Sequence, residues 1–225
     1  WQGASMAFGR EMITMDRLSA LFSIIISLAA VALGVVLGFL VAVIRSTHDM
    51  TGRFRVLNVL CHAYLTVIRG TPVVVQLLII YFVIFGSVDV SKVLVAIVAF
   101  GVNSGAYVAE IIRSGIMSVD RGQMEAGRSL GMSKLQATSK IILPQALRYI
   151  LPAIGNECIA LLKETSVAGY VAVVDVTKAA TNIRNKTYDA VNPILLLALI
   201  YLVMVIALTR LLAIMERRLR KSDGK

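Results

Sequence analysis

Charge is scarce in this chain. Only 16% of its 225 residues are Asp, Glu, Lys or Arg, whereas 58% are hydrophobic and the mean hydropathy is +0.81. So few charges exclude an ordinary water-soluble domain and point to a polytopic membrane protein. Acidic residues are the scarcer sign, 13 against 23 basic, for a net charge of +10. In a soluble protein that excess would suggest nucleic acid, but in a membrane protein cations collect in the cytoplasmic loops. Cysteine is limited to Cys61 and Cys158. They lie far apart with no CxxC spacing, so they read as small apolar residues rather than a disulfide or zinc framework. His48 and His62 are isolated, and no metal site is expected. No GxxxxGK[ST] loop occurs, so the chain is not itself an ATP-binding component. Residues 1–17 lack the basic start, short apolar core and small-residue exit of a cleavable signal. The first residue is Trp1 rather than Met, which leaves the native start open.

Five apolar stretches are long enough to cross a bilayer. They are predicted at residues 18–44, 56–85, 93–112, 150–176 and 193–214, within a five-helix transmembrane domain over 18–216. Residues 1–17 form an extracytoplasmic segment and 217–225 a basic cytoplasmic tail. In the first span Ser19, Ser23 and Ser27 recur every four residues, and Gly34 and Gly38 form a small-xxx-small pair that permits close helix contact. Packing against neighbouring spans is the expected use of that face. The second span is interrupted by Arg69-Gly70-Thr71-Pro72, because proline removes a backbone donor and bends the helix. Such a break survives in a bilayer only where protein or water satisfies the freed groups. Gln76 follows the break, and Asn103, Ser104 and Glu110 lie in the third span, with Glu110 three residues before a partner in Arg113. Pro193 suits the first turn of the last helix.

The fourth span carries Asn156, Glu157, Lys163 and Glu164. A seven-residue step returns a helical side chain to within about 20° of its start. Asn156 therefore stacks above Lys163 and Glu157 above Glu164, on adjoining stripes of one face. Ionisable groups at membrane depth face the bundle interior, a partner or a wet cavity. Either they line a solute path, Asn156 and Glu157 above all, or they pin helices together, with Lys163 and Glu164 neutralising each other.

The longest polar interval is residues 120–144. Asp120 is a plausible N-cap with Gln123 at the capping-box position, and Gly131 is a natural helix stop. Ser133 opens a second short helix, with Gln136 at the reciprocal position. A capped, non-spanning helix pair between spans presents a surface outside the bilayer.

Within it, Glu125-Ala126-Gly127, Gly131, Ile141 and Leu143-Pro144 resemble the EAA loop of ABC-importer permease subunits. Gly127 stands where the commonest pattern has a second alanine, a change that keeps the small size and costs about 1 kcal/mol of helix propensity. Arg69-Gly70-Thr71-Pro72 with Val73-Val74-Val75-Gln76-Leu77, the run from Asn103 through Glu110 into Glu125, and the Lys163-Glu164-Thr165-Ser166 segment are similar to the polar-amino-acid subgroup. The resemblance implies an all-α, five-span fold of the type I importer permeases, with a cytoplasmic coupling helix that seats in a separate ATPase. It also implies a second permease chain, identical or homologous, an external solute-binding protein, and a prokaryotic inner or plasma membrane. ATP and Mg would be bound by the ATPase, leaving this chain without a cofactor. Solute-path candidates are Gln76, Asn103, Ser104, Asn156, Glu157 and Glu164. The solute would be a polar, and with Glu157 and Glu164 a basic, amino acid.

Five spans put the termini on opposite sides. With the amino end outside, the cytoplasmic segments hold fourteen cations, among them Arg45, Arg113, Arg128 and Arg217, against six outside. That bias selects this orientation and makes residues 120–144 cytoplasmic. An oligomeric secondary transporter or channel is the competing reading, since intramembrane acids and a broken span also suit ion coupling. No internal repeat supports it. An intramembrane enzyme fits least, because neither Ser104 nor Ser166 has an intramembrane histidine to activate it.

Overall fold

The computed structural model describes residues 2–221, with side chains described over 19–49 and 51–217. Within those limits the chain is helical, with no strand. The helix α1 (Gln2–Thr51) is 50 residues long, continuous through the segment expected before the first span. Its apolar part is Ser19–Asp49. Next come α2 (Arg55–Gly70) and α3 (Val73–Ile79, continued by a π-turn over Ile80–Ile84), which are bent by 113° at the proline break. The helix α4 (Lys92–Met117) is the most deeply buried of the apolar ones. Two short helices follow, α5 (Arg121–Ser129) and α6 (Lys134–Ala137), the latter running through a π-turn over Thr138–Ile142 into α7 (Leu143–Glu164). A 3-10 turn (Thr165–Val171) leads to α8 (Val176–Thr187) and α9 (Asn192–Lys221).

Helices α1 and α4 make the axis of the molecule, and glycines on both sides explain their contact. A Cβ on Gly34 would fall 2.8 Å from Ser104 Cβ, and one on Gly38 2.7 Å from Val108 Cβ. From the opposite side, Gly101 faces Leu33 and Gly105 faces Leu37 at similarly short distances. Two small-xxx-small pairs thus interlock, of which only Gly34–Gly38 stood out in the sequence. The contacts advance in the same sense along both helices, so α1 and α4 run parallel. Ser23 and Ser27 donate to the carbonyls of Ser19 (3.1 Å) and Ser23 (2.7 Å) in their own helix, and all three serines are buried. That satisfies the Ser23 and Ser27 hydroxyls locally and leaves the face to pack.

Three described helices, in α1, α4 and α9, are long and apolar enough to cross a membrane, and the bent α2–α3 pair would make a fourth. The expected fourth span is built differently from the prediction over 150–176. Its helix begins at Leu143, because Pro144 sits in the first turn, where a missing N–H costs nothing. Pro152 is carried inside the helix, and the helix ends at Glu164 rather than 176. At about 1.5 Å per residue its 22 residues could reach across the hydrocarbon. Its charges keep it below the apolarity of the other three. The connector expected at 175–192 holds α8, capped by buried Asp175, which accepts from Thr177 N and Lys178 N. Asp189 caps α9 by accepting from the backbone of Val191 and Asn192. The Asn192 side chain adds a further hydrogen bond, and together these hold the Asp189 carboxyl below its ordinary range.

Candidate functional site

The polar helix pair is built as its residues dictate. Asp120 Oδ1 accepts from Gly122 N at 2.6 Å, fixing the start of α5. Gln123 makes no capping box there and instead lies 3.4 Å from Gln145 of α7. The end of α5 is a Schellman turn. Met132 N donates to Gly127 O and Gly131 N to Arg128 O, with Gly131 at φ +84°. Ser133 and Gln136 then form a complete capping box.

The pair is mounted firmly on the bundle. Gly127 is buried, and a Cβ there would meet Ile141 Cδ1 at 2.9 Å and Ala137 Cβ at 3.2 Å. The second alanine of the commoner motif would need Ile141 to shift slightly. Below it Val119, Ile142, Ala146 and Ile150 form a buried cluster with α4 side chains. The outer face is open: Glu125, Ala126, Gly131, Leu143 and Pro144 are exposed, and so are Leu130 (80%) and Leu135 (66%). Two bare leucines beside an unpaired carboxylate, on a rigid mount, make a surface suited to docking.

The solute-path candidates fall into two groups. Gln76 and Asn103 are buried and brace the broken span. Pro72 lacks the N–H that would have bonded Ile68 O, and Gln76 Nε2 supplies the missing donor at 2.7 Å. The same amide reaches Thr71 O (3.0 Å) and Thr71 Oγ1 (2.9 Å), and Asn103 Nδ2 donates to Gln76 Oε1 at 2.9 Å. Ser104, fully buried, donates to Glu157 Oε1 at 2.9 Å. Glu157 is half-buried and lines an open cavity of about 400 Å³ together with Arg69, Tyr107, Glu110, Ser114 and Tyr149. A second hollow of about 600 Å³ shares Arg69, Tyr107 and Glu110 and continues to Arg45, His62 and Arg113. Glu164 is half-buried, whereas Asn156 and Lys163 are exposed on the single chain. The expected inward face of α7 is therefore divided, with its carboxylates partly covered and the Asn156–Lys163 stripe open. Sequence reading missed Arg69 and Tyr107 as cavity residues, although the arginine of the break was a signal. Glu110 does pair with Arg113 as expected, through contacts from Nε and Nη2. Among the described residues no three His, Cys, Asp or Glu side chains gather as a metal site.

Comparison with known proteins bears on this arrangement. A family model described as binding-protein-dependent transport system inner membrane component matches residues 34–221. The arginine transport system permease protein ArtQ of Bacillus subtilis is 36% identical over 200 residues, covering 88% of this chain and 91% of that protein. The glutamine transport system permease protein GlnP of Escherichia coli is 34% identical, with 87% and 88% covered. Among solved structures, an amino acid ABC transporter crystallised with histidines superposes with a TM-score of 0.85 at 36% identity, over 96% of this chain and 97% of that one. A chain of the methionine transporter MetNI has a TM-score of 0.76 at 20% identity, which concerns the fold alone.

Proposed function

The chain belongs to the binding-protein-dependent inner membrane transport components and is a permease subunit of an amino-acid ABC importer, and from that premise we propose how its parts divide the work. It is a multi-pass inner-membrane transport subunit, with ATP hydrolysis carried by a separate subunit. In our reading the α5–α6 pair is the coupling element. It seats in a cleft of an ATPase through Glu125, Ala126, Leu130 and Leu135, with Gly131, Leu143 and Pro144 exposed beside them, while Gly127 packed on Ile141 fixes the pair to the start of α7. ATP and Mg stay on the ATPase dimer. The observation that carries this is the exposed leucine-bearing face of a helix pair whose caps and buried underside leave it little freedom to move.

The bilayer arrangement proposed is five spans, with α7 crossing as the fourth and α9 as the fifth, the amino end outside and the carboxyl end cytoplasmic. The parallel run of α1 and α4 supports it, because first and third spans must point the same way. A second permease chain, identical or homologous, would cover the open Asn156–Lys163 stripe, since polar groups facing lipid are costly. A solute-binding protein would deliver a polar amino acid of the glutamine or arginine kind from outside. Inside the chain, Glu157, oriented by Ser104, lines the path, and Gln76 with Asn103 keeps the broken span in shape beside it.

Reversing the charge of Glu125 tests the docking claim. Glu125→Arg should lower recovery of the ATPase with the purified permease by about tenfold and abolish ATP-driven uptake, corresponding to the loss of one charge-assisted contact at an interface. The capped fold of α5 should be untouched. Full co-purification together with full uptake would refute the docking surface. Glu157→Gln should weaken handling of basic amino acids by about tenfold, and neutral ones less, because a charge-assisted contact is lost. Uptake affinities unchanged from the wild type for both classes would make Glu157 a purely structural partner of Ser104.

A further inference from the structure

Arg69 stands next to last in α2, at the edge of the 113° bend. Its guanidinium lies over the Tyr107 ring, 5.8 Å from the centroid. The nearest carboxylate is Glu110, with Arg69 Nη1 at 3.7 Å from Oε2, beyond hydrogen-bond reach. Glu110 is already engaged by Arg113, whose Nε donates to both carboxylate oxygens at 3.0 Å. Among the described residues, no protein acceptor takes a hydrogen bond from Arg69, although a guanidinium carries five N–H donors. Its side chain is 42% exposed, and it lines both hollows.

A guanidinium with vacant donors is costly near the bilayer unless water or a ligand meets it. Stacking on Tyr107 keeps its planar fork in place while leaving the donor edge free, and that fork matches a carboxylate with two parallel hydrogen bonds. Among the described residues, the other charged groups lining the first hollow are Glu110, which Arg113 holds, and Glu157. One wall thus offers a guanidinium whose hydrogen-bond donors are open, and elsewhere in the same cavity Ser104 orients a carboxylate. An α-amino acid carries the complementary pair of charges on one carbon. Bound solute of that size suits a hollow of a few hundred Å³.

We propose that Arg69 anchors the α-carboxylate of the transported amino acid, with the solute's positive end toward Glu157, so that Arg69 is the residue by which this chain distinguishes amino acids from amines and amides. The proposal rests on the amino-acid permease reading and assigns the recognition of that solute class to one side chain. Arg113 supports it indirectly, by taking the hydrogen bonds of the Glu110 carboxylate, which leaves Glu110 a charge neighbour of Arg69 without a hydrogen bond to it.

The test uses the complete permease–ATPase complex in lipid nanodiscs, without binding protein, and radiolabelled L-arginine and L-glutamine as probes. Competition by the unlabelled acids is compared with competition by their α-carboxamides. In the wild type the acid should compete at least about tenfold better than its amide, the scale of a charge-assisted hydrogen bond. Arg69→Gln should lower affinity for the acid by about that factor and erase its advantage over the amide, with the permease–ATPase complex still assembled. Should Arg69→Gln fail to assemble, Arg69→Lys keeps the charge but not the fork, and a reduced acid-to-amide ratio is expected. Uptake by vesicles containing the binding protein is measured in parallel. If the wild type imports amino acids yet binds neither acid, or if both variants retain the wild-type ratio, the Arg69 anchor is overturned while the importer reading stands. If the fully assembled wild type imports no amino acid, the importer reading falls and this inference with it.

Discussion

Gly38→Val is expected to leave almost no folded protein in the membrane. A single added carbon at this position already lies 2.7 Å from Val108 Cβ and Cγ1, and 2.8 Å from the backbone nitrogen of Ala109. Val108 Cγ1 could rotate away, but Val108 Cβ and the Ala109 nitrogen are fixed by the α4 backbone. Accommodation therefore requires α1 and α4 to separate along the most extensive helix contact of the molecule. Overpacking costs about 1–3 kcal/mol when only side chains must move, and here the upper end or beyond is expected. In lipid no hydrophobic gain drives helices together, so close packing of small residues carries much of the association. Gly70→Ala is the appropriate control, because nothing lies within 4 Å of the added carbon. Membrane abundance and thermal unfolding in detergent should show a severe loss for Gly38→Val and a near-neutral outcome for the control. Equal stability of the two variants would mean that the α1–α4 seam is looser than described.

The second large effect is expected at Gln76. Leucine there would strip the donor from Ile68 O and Thr71 O and remove the acceptor for Asn103 Nδ2. A buried group left unpaired costs about 1–3 kcal/mol; Asn103 is buried and Ile68 partly so, whereas Thr71 is exposed and can turn to water, so the penalty falls mainly on the first two. Asn103 Oδ1 already lacks a partner, so the network has no spare hydrogen bond to redistribute. Gln76→Glu should be at least as damaging as Gln76→Leu despite its closer shape, since it directs a carboxylate at two carbonyl oxygens. Adding Asn103→Leu to Gln76→Leu should cost less than the sum of the single changes, because the two side chains share one bond. Hydrogen exchange across α2 and α3, together with uptake, would report the change. A tolerant Gln76→Glu variant with normal uptake would contradict the brace and favour a direct solute role for this amide.

These two residues also mark how far sequence alone could be followed. Gly34–Gly38 was visible as a motif because its spacing is local, and so were Gly131, Ser133 with Gln136, and the break at Pro72. Each depends on chemistry within a few residues. The answering glycines, Gly101 and Gly105, carry the same spacing, but their purpose appears only when α4 lies against α1. Gln76 drew notice as a polar group in an apolar run, which is equally the mark of a path residue and of a brace. What decides is the bend, since it turns Ile68 O toward the amide. The helix α7 begins ahead of the span predicted at 150–176 for a related reason. A proline in a first helical turn and a proline before a helix read alike, and Pro144 takes the former role while Pro152 is tolerated within. Arg69 and Glu110 are separated by 41 positions, and no local pattern joins them to Glu157 in one cavity. The coupling surface was the most legible part because caps and small residues define it, whereas the cavity depends on helix crossings.

The most direct measurement of the whole account is solute uptake into vesicles reconstituted with this chain alone, with the chain and its ATPase, and with ATPase and binding protein together. Accumulation of an amino acid only in the complete set, and only with ATP inside a vesicle oriented with the α5–α6 pair toward that ATP, is the predicted result. Uptake by the chain alone, driven by an ion gradient and indifferent to ATP, would contradict it.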